Sequence, residues 1–240
     1  VVMKNLVVDF DKKEANERAE KNFIENCGFD LTKEKHCRMM EDGLNARNQG
    51  IEDVHIRALL SSYGNEAFKD GRIIIDGTAF TCKAFEQVTR DNILRIYPYI
   101  ITAGGLAYSD NDNILEQLYS DIWGTAYIDV GRAMLEEYLK IDAGKDYPGQ
   151  IEKTIFLTNS FGPGFYGMMT SQTKEFCKIL DAQKIGIEVR DSGIMVPLKT
   201  CAGIYMIVND RACIPHPNCQ QCIGNPKGCH FCRIRNEQVL

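Results

Sequence analysis

The spacing of apolar positions predicts a mainly helical start to the chain. After a short apolar opening strand, residues 11–27 are rich in helix formers and end at Gly28, a typical C-terminal cap. Residues 51–62 repeat apolar residues at helical spacing, which predicts a further helix that ends near Gly64. We therefore expect residues 1–64 to form an N-terminal helical region.

The next part of the chain carries hairpin, helix and strand signals in turn. Three isoleucines lead into Asp76-Gly77, a dipeptide that favours tight two-residue turns, so residues 71–83 are predicted to form a β-hairpin. Residues 83–94 are predicted to be helical. Residues 95–102 are rich in isoleucine and tyrosine and predict a strand that ends at Gly104-Gly105.

A long helix is predicted over residues 112–140. Its apolar residues recur every four positions, which would place them on one face that packs into the core: Ile114, Leu118, Ile122, Ala126, Val130, Met134 and Tyr138. Small residues at Gly124, Ala126 and Gly131 would allow another element to approach closely. The remaining elements are expected to be a short buried strand, a helix and two β segments, at residues 154–157, 170–180 and 192–210.

The order of these elements favours an α+β fold. Strands and helices do not alternate regularly and the hairpins are antiparallel, which argues against a doubly wound parallel sheet. The chain has no P-loop, GxGxxG, HExxH or GxSxG motif. Its four histidines, at positions 36, 55, 216 and 230, suggest no Ser/His/Asp set.

The composition of the chain indicates which classes of molecule it can bind. The 240 residues are 44% hydrophobic and 25% charged, with a net charge of -5, which is typical of a soluble globular protein and argues against nucleic acid as the main partner. No stretch approaches the roughly 20 apolar residues that a membrane helix needs. Ten cysteines without a visible signal peptide lead us to expect a cytoplasmic protein with reduced thiols.

Five cysteines lie within residues 211–240, which we expect to form a metal-binding tail. Their spacing is C-x5-C-x2-C-x6-C-x2-C: Cys213, Cys219, Cys222, Cys229 and Cys232. Two CxxC turns can offer four soft ligands to one zinc ion or iron–sulfur cluster, whereas disulfides are not expected to persist without export. The spacing alone does not choose between the two metals, and Cys213, His216 and His230 are spare ligands.

A second candidate site is the segment of residues 159–167. Three glycines and one proline alternate there with three aromatic residues, a composition that favours neither helix nor strand. A rigid loop with aromatic walls suits a flat ligand. A tight surface turn is the alternative.

This part of the sequence resembles the activation domain of cobalamin-dependent methionine synthase. The resemblance lies in Phe161-Gly162-Pro163-Gly164-Phe165, the helix after it, Asp191-Ser192-Gly193-Ile194-Met195-Val196-Pro197 and Ala202-Gly203-Ile204, and extends loosely over residues 65–210. It implies an α+β fold with a central antiparallel sheet and a domain that binds S-adenosylmethionine and docks onto a corrinoid-binding protein. The cofactor-binding positions that it implies are Ser160, Pro163, Gly164, Phe165, Tyr166, Ala202 and Gly203.

One departure from the family bears on ligand binding. The family carries an arginine three residues before the loop proline, where this chain has Ser160. An arginine fork pairs bidentately with a carboxylate, so its loss predicts weaker binding of S-adenosylmethionine unless another basic group, such as Lys199 or Arg190, replaces it.

The resemblance gives the cysteine tail a function. Activation domains support the reductive methylation of inert cob(II) with an electron from another protein, and an iron–sulfur cluster in residues 211–240 would supply that electron internally. We therefore expect a reductive activator or accessory subunit of a corrinoid-dependent methyltransferase. The alternatives are a zinc-clipped scaffold without redox activity and a component that handles another one-carbon carrier. The metal should lie on the same side of the sheet as the loop, with exposed apolar residues such as Phe165, Tyr166 or Phe231 available for docking.

Overall fold

The computed structural model describes residues 3–105 and 113–214 of the chain. Within these residues four helices are formed: α1 Lys12–Cys27, α2 Glu34–Gly50, α3 Ile114–Asp146 and α4 Thr173–Leu180. The strands are β1 Leu6–Asp9, β2 Val54–Leu60, β3 Phe68–Lys69, β4 Arg72–Ile75, β5 Thr78–Phe80, β6 Ile93–Gly104, β7 Phe156–Leu157, β8 Glu188–Val189, β9 Met195–Val196 and β10 Thr200–Val208.

A five-stranded antiparallel sheet forms the centre of the molecule. Its strand order is β1-β2-β6-β10-β7, and each neighbouring pair runs antiparallel. β6 and β10 are long, almost fully buried strands that pair from Thr102↔Thr200 to Ile93↔Val208. Two smaller sheets, β3-β4-β5 and β8-β9, lie outside it. The predicted α+β fold with a central antiparallel sheet is confirmed.

Each face of the central sheet carries its own hydrophobic core. Side chains alternate between the faces along β6, so Tyr97 and Tyr99 join the core under α1, α2 and α3, whereas Ile96 and Ile100 join the core that contains α4 and the β3-β4-β5 sheet. We call the first the three-helix face and the second the α4 face. On the three-helix face the Trp123 ring stacks on Phe23, with ring centroids 4.0 Å apart.

Helix α1 and the β4-β5 hairpin are both defined by short local sequence signals. Helix α1 begins at Asp11, whose carboxylate accepts a hydrogen bond from the Glu14 N–H at 2.7 Å, and ends at Gly28, which has a φ of 63°. The Asp76-Gly77 turn connects β4 to β5, with both residues at positive φ and Ile75 opposite Thr78. The predicted helix at residues 11–27 and the predicted hairpin are both confirmed.

The helix predicted at residues 51–62 is wrong, because most of this segment is strand β2. Val54, Ile56 and Ala58 face the three-helix core while Leu59 faces the other core. The first five residues of β2, Val54–Ala58, alternate apolar and polar as a half-buried strand does. Ile51, Val54, Ala58 and Leu59 also match helical spacing, so the segment carried two competing signals. Strands β1 and β2 thus belong to the same sheet as β6, and the division of the chain at residue 64 stays a prediction.

The helix predicted at residues 83–94 is also wrong. Two short 3-10 turns, Lys83–Gln87 and Arg90–Asn92, occupy most of the segment, and Ile93 already belongs to β6. Pairing of Ile93 with Val208 brings the chain back into the sheet before a longer helix can form.

The long helix is confirmed as α3, but its predicted apolar stripe reaches the core only in the middle. Ala126, Val130 and Met134 are buried, whereas Ile114 is 79% exposed and Leu118 is also exposed. Residues four apart are separated by about 400° around a helix, so a four-residue stripe drifts about 40° at each step and leaves the buried face. The close approach predicted at Gly131 is confirmed, since a Cβ there would lie 2.8 Å from the Ile56 side chain.

No helix in residues 3–105 or 113–214 combines the length and apolar character needed to cross a membrane.

Candidate functional site

The loop that follows β7 runs along the edge of the central sheet, beside β10. The Thr158 N–H donates to the Met206 carbonyl at 2.9 Å. Further along, the Phe161 N–H donates to the Ile204 carbonyl at 2.9 Å and the Ile204 N–H donates back to the Phe161 carbonyl at 2.8 Å. These bonds fix the start of the loop against the sheet.

Two glycines allow the loop to lie this close to β10. A Cβ on Gly162 would stand 2.5 Å from the Ala202 carbonyl oxygen, and a Cβ on Gly203 would stand 2.6 Å from Ser160 Oγ and 2.9 Å from the Phe161 carbonyl oxygen. No real side chain tolerates these distances. The structure thus brings Ser160, Ala202 and Gly203 together, and their role in cofactor binding stays a prediction.

Beyond Gly162 the chain closes into a tight turn. Gly164, Tyr166 and Gly167 have φ values of 87°, 51° and 75°, in the region that favours glycine. The Phe165 N–H donates to the Gly162 carbonyl and the Met168 N–H donates to the Phe165 carbonyl, each at 2.9 Å. The segment is a hydrogen-bonded turn that is neither helix nor strand, as its composition predicted, and its role as a ligand site stays a prediction.

Tyr166 and Phe165 point in opposite directions from this turn. Tyr166 is only 7% exposed, and its ring packs edge-on against Phe161 with centroids 5.4 Å apart. Its carbonyl accepts hydrogen bonds from the Lys83 N–H at 2.9 Å and the Cys82 thiol at 3.2 Å. The expectation of an exposed Tyr166 is therefore wrong, while Phe165, at 57% exposed, meets it.

Phe165 belongs to an exposed apolar surface. Thr170 lies between two turns: a Cβ on Gly164 would stand 3.8 Å from its side chain, and a Cβ on Gly193, between β8 and β9, would stand 3.4 Å from its carbonyl oxygen. We define the apolar rim as the exposed large hydrophobic residues of these two turns together with the residue before Thr170: Phe165, Met169 and Ile194.

A polar cluster lies on the three-helix face, beneath the first residues of the loop. We define it as Tyr99, Arg132, Ser160, Cys201 and Tyr205. The Tyr99 hydroxyl and Ser160 Oγ are 2.7 Å apart, and the Tyr99 ring stacks on Tyr205 with centroids 5.0 Å apart. The Tyr205 hydroxyl donates to Glu136 of α3 at 2.7 Å. The cluster joins β6, β10, α3 and the loop in one continuous set of contacts.

Burial and charge have opposite effects on the pKa values in this cluster. Burial raises the pKa of Tyr99 to about 12 and also raises the pKa values of Cys201 and Tyr205, while the positive charge of Arg132 acts to lower all three. The tyrosine hydroxyls and the Cys201 thiol are therefore protonated at neutral pH and can donate hydrogen bonds.

Arg132 is a basic residue of this region that no sequence motif indicated. It lies 28 residues before Ser160 on a helix that was interpreted only as core packing. Of the two possible replacements for the missing loop arginine, Lys199 is close enough to the cluster for its charge to act to lower the pKa of Cys201, but its ammonium group is engaged by other residues. Lys199 Nζ contacts Asp121 at 2.8 Å and Thr125 at 3.0 Å, and the Arg190 side chain is exposed in the turn between β8 and β9.

Cys213 is the one member of the predicted ligand set that lies within the described residues. It follows β10 in a 3-10 turn, is 3% exposed, and its sulfur accepts a hydrogen bond from Asn92 Nδ2 at 3.1 Å. It belongs to the same core as Tyr166, on the α4 face. Cys219, Cys222, Cys229 and Cys232 lie outside the described residues, as does Phe231, and the metal site stays a prediction.

Metal-binding groups are not assembled elsewhere in the part of the chain that the structure covers. Among residues 3–105 and 113–214, no group of three or more His, Cys, Asp or Glu side chains is arranged to hold a metal ion. A hollow of about 360 Å³ borders the loop at Gly167, between Arg72, Lys83 and Glu86. Cys82, which also lines this hollow, belongs to the α4-face core, whereas the polar cluster lies on the three-helix face.

Comparison with known proteins supports the fold. No protein-family model matches the sequence. No curated protein matches it either. Among solved structures, the MetH reactivation domain bound to AdoHcy resembles this chain with a TM-score of 0.60 and 14% sequence identity, over 87% of this chain and 79% of that one. At this identity the likeness establishes a shared fold, and the fold implied by the sequence resemblance is therefore confirmed.

Proposed function

We propose that this protein is an accessory subunit of a corrinoid-dependent methyltransferase, which binds an S-adenosyl ligand beside the loop of residues 159–167. One observation carries the proposal: the fold is that of a MetH reactivation domain bound to AdoHcy, and the loop that carries the sequence resemblance is built against β10 in this chain. Fold alone does not define function, so the proposal also depends on the side chains at the loop.

The residues around the loop suit a ligand that has an adenosyl group and a polar end. Phe165 exposes an aromatic ring on which a flat heterocycle can stack. The Ser160 hydroxyl, oriented by its 2.7 Å hydrogen bond to the buried Tyr99, provides a hydrogen-bonding group. Gly162 and Gly203 keep the loop backbone close to β10. The turn is held rigid by its own hydrogen bonds, so ligand binding would require little ordering of the chain.

The apolar rim would dock the corrinoid-binding partner. Its three residues are large, hydrophobic and exposed, and they lie on segments around Thr170; a contiguous exposed apolar patch is typical of a protein contact surface. The rim residue Phe165 belongs to the loop that would hold the S-adenosyl ligand, so a corrinoid docked there would lie next to the methyl donor.

The cysteine tail would make the subunit redox-active. An iron–sulfur cluster held by Cys219, Cys222, Cys229 and Cys232 would give one electron to cobalt(II) on the partner, producing cobalt(I), and would be re-reduced by a soluble electron donor. The chain enters this tail from Cys213, which shares the α4-face core with Tyr166 of the loop. Ser160 of the same loop contacts Tyr99 on the three-helix face, so the expected position of the metal on the same side as the ligand stays a prediction.

Anaerobic purification followed by metal analysis and absorption spectroscopy tests the redox part. Iron with acid-labile sulfide and a broad visible charge-transfer band support the proposal. Zinc in place of iron would contradict electron transfer and favour a non-redox scaffold, because zinc has no redox chemistry. Calorimetry with AdoHcy tests the ligand part separately, and absence of measurable binding at millimolar ligand would contradict it.

A further inference from the structure

The hollow of about 360 Å³ that borders the loop at Gly167 has walls that are fixed by hydrogen bonds. The Lys83 N–H donates to the Tyr166 carbonyl at 2.9 Å, which holds one wall against the loop. The Gln172 side chain holds a second wall, because its Oε1 accepts from the Thr81 N–H at 2.9 Å and its Nε2 donates to the Thr81 carbonyl at 3.1 Å. The volume lies within the range of small-ligand pockets, and a ligand would find the hollow already formed.

Four charged side chains line this hollow without pairing with one another. They are Asp70, Arg72, Lys83 and Glu86, and all four are exposed. Within residues 3–105 and 113–214 none of the four makes an ion pair. The turn between β3 and β4, with φ values of 49° at Asp70 and 70° at Gly71, fixes the backbone beside Arg72. Two positive and two negative charges are therefore open to a ligand.

A ligand that carries both charges fits this arrangement better than a simple ion does. Asp70 and Glu86 would repel a phosphate or a lone carboxylate, and Arg72 and Lys83 would repel an amine. The guanidinium fork of Arg72 matches a carboxylate bidentately. We propose that the hollow binds an α-amino-acid group, with its carboxylate on Arg72 and Lys83 and its ammonium group on Asp70 and Glu86.

Two kinds of ligand can supply this group, a free amino acid or the S-adenosyl ligand. Phe165 is 57% exposed and lies two residues before Gly167. Their Cα atoms are therefore within about 7 Å of each other. An S-adenosyl ligand whose adenine stacks on Phe165 can thus place its amino-acid end in the hollow. For that ligand the inference rests on the proposed function, and the hollow supplies the basic groups that the loop lacks at Ser160.

Calorimetry with three ligands tests the inference. L-Methionine carries the amino-acid group alone, AdoHcy carries it on an adenosyl thioether, and 5′-methylthioadenosine has the adenosyl thioether without it. We expect Arg72→Gln to weaken binding of L-methionine or AdoHcy about 5–10-fold, the loss of a charge-assisted bond at an exposed site, and to leave 5′-methylthioadenosine binding unchanged. Glu86→Gln should weaken binding of the same ligand. Lys69→Gln is the control, because it removes an exposed cation opposite Arg72 in the same hairpin but outside the hollow, and it should change no affinity.

The outcomes separate the two ligands and also separate this inference from the proposed function. Weaker AdoHcy binding in Arg72→Gln identifies the S-adenosyl ligand as the occupant, whereas weaker L-methionine binding with unchanged AdoHcy binding identifies a free amino acid. Affinities for L-methionine and AdoHcy that neither variant changes, with both variants folded by circular dichroism, would overturn the hollow as a site and leave the proposed function standing. Binding of L-methionine that depends on Arg72, without any binding of AdoHcy, would support the hollow and contradict the ligand part of the proposed function. Binding of neither ligand by the unaltered protein would overturn both.

Discussion

Gly203 is the position at which a single methyl group should most directly disturb the candidate site. In the Gly203→Ala variant the new Cβ would lie 2.6 Å from Ser160 Oγ, 2.9 Å from the Phe161 carbonyl oxygen and 3.2 Å from Tyr99 Cε1. The Ser160 side chain can rotate away, but the Phe161 carbonyl is fixed by the Ile204 N–H at 2.8 Å. The loop must therefore move as a unit.

The cost of Gly203→Ala follows from these contacts. Overpacking a buried site costs about 1–3 kcal/mol, and loss of the bond between Ser160 and Tyr99 adds about 1 kcal/mol. Lower backbone entropy of the unfolded chain offsets about 0.4–1 kcal/mol. We expect a net destabilisation of about 1–3 kcal/mol, together with weaker AdoHcy binding.

Urea unfolding followed by tryptophan fluorescence measures this change. The single tryptophan, Trp123, is fully buried and stacked on Phe23, so its emission reports loss of the three-helix core. Gly144→Ala in α3 is a matched control of opposite sign. Its Cβ would meet only Ile151, at 3.9 Å, and replacing a helical glycine should stabilise by about 0.5–1 kcal/mol. Equal stability of Gly203→Ala and the unaltered protein would refute the claim that the loop is fixed against β10.

Three further outcomes are expected. Phe165→Ser should change the free energy of unfolding by less than about 0.5 kcal/mol in urea, while weakening the pull-down of a corrinoid protein. Tyr166→Ala should lower the free energy of unfolding by about 3–5 kcal/mol, because this side chain is buried. A larger loss of stability in Phe165→Ser than in Tyr166→Ala would contradict the assigned orientations. Cys222→Ser should lose its metal by elemental analysis and Cys177→Ser should retain it; full retention in the first would remove Cys222 from the ligand set. Burial raises the pKa values of Cys82 and Cys177 to about 11. The free energy of unfolding should therefore fall as pH rises from about 9 to 11, because the unfolded thiols lose their protons before the folded ones do. Alkylation at pH 8, followed by mass spectrometry, should leave both thiols unmodified until the protein unfolds.

Elements defined by local chemistry could be predicted from the sequence. The Asp11 cap and Gly28 mark the ends of α1, and Asp76-Gly77 marks a turn, because each signal depends on residues only a few positions apart. Strand β2 carried two competing local signals, the alternation of Val54–Ala58 and a helical spacing of apolar residues, and its pairing with the distant β1 and β6 decides for the strand.

The candidate site also has a part that local sequence predicts and a part that depends on tertiary structure. The glycines around Pro163 indicated a rigid turn, and that turn is present with its positive φ values. The inward direction of Tyr166 depends on contacts with Phe161 and Lys83, which no local pattern encodes. Arg132 reaches the loop region only because α3 packs across the sheet, so its place in the polar cluster required the tertiary structure.

Electron transfer to a corrinoid, coupled to methylation, tests the central claim most directly. The protein would be reduced anaerobically, desalted, and mixed with cob(II)inamide and S-adenosylmethionine, and the corrinoids would then be separated by chromatography. Reduction of cobalt(II) by one electron gives cobalt(I), which takes the methyl group and releases AdoHcy. The account predicts methylcobinamide in amounts equal to the reduced cluster, and none with Cys222→Ser. No methylcobinamide from the reduced, unaltered protein, or equal yields from the two proteins, would contradict it.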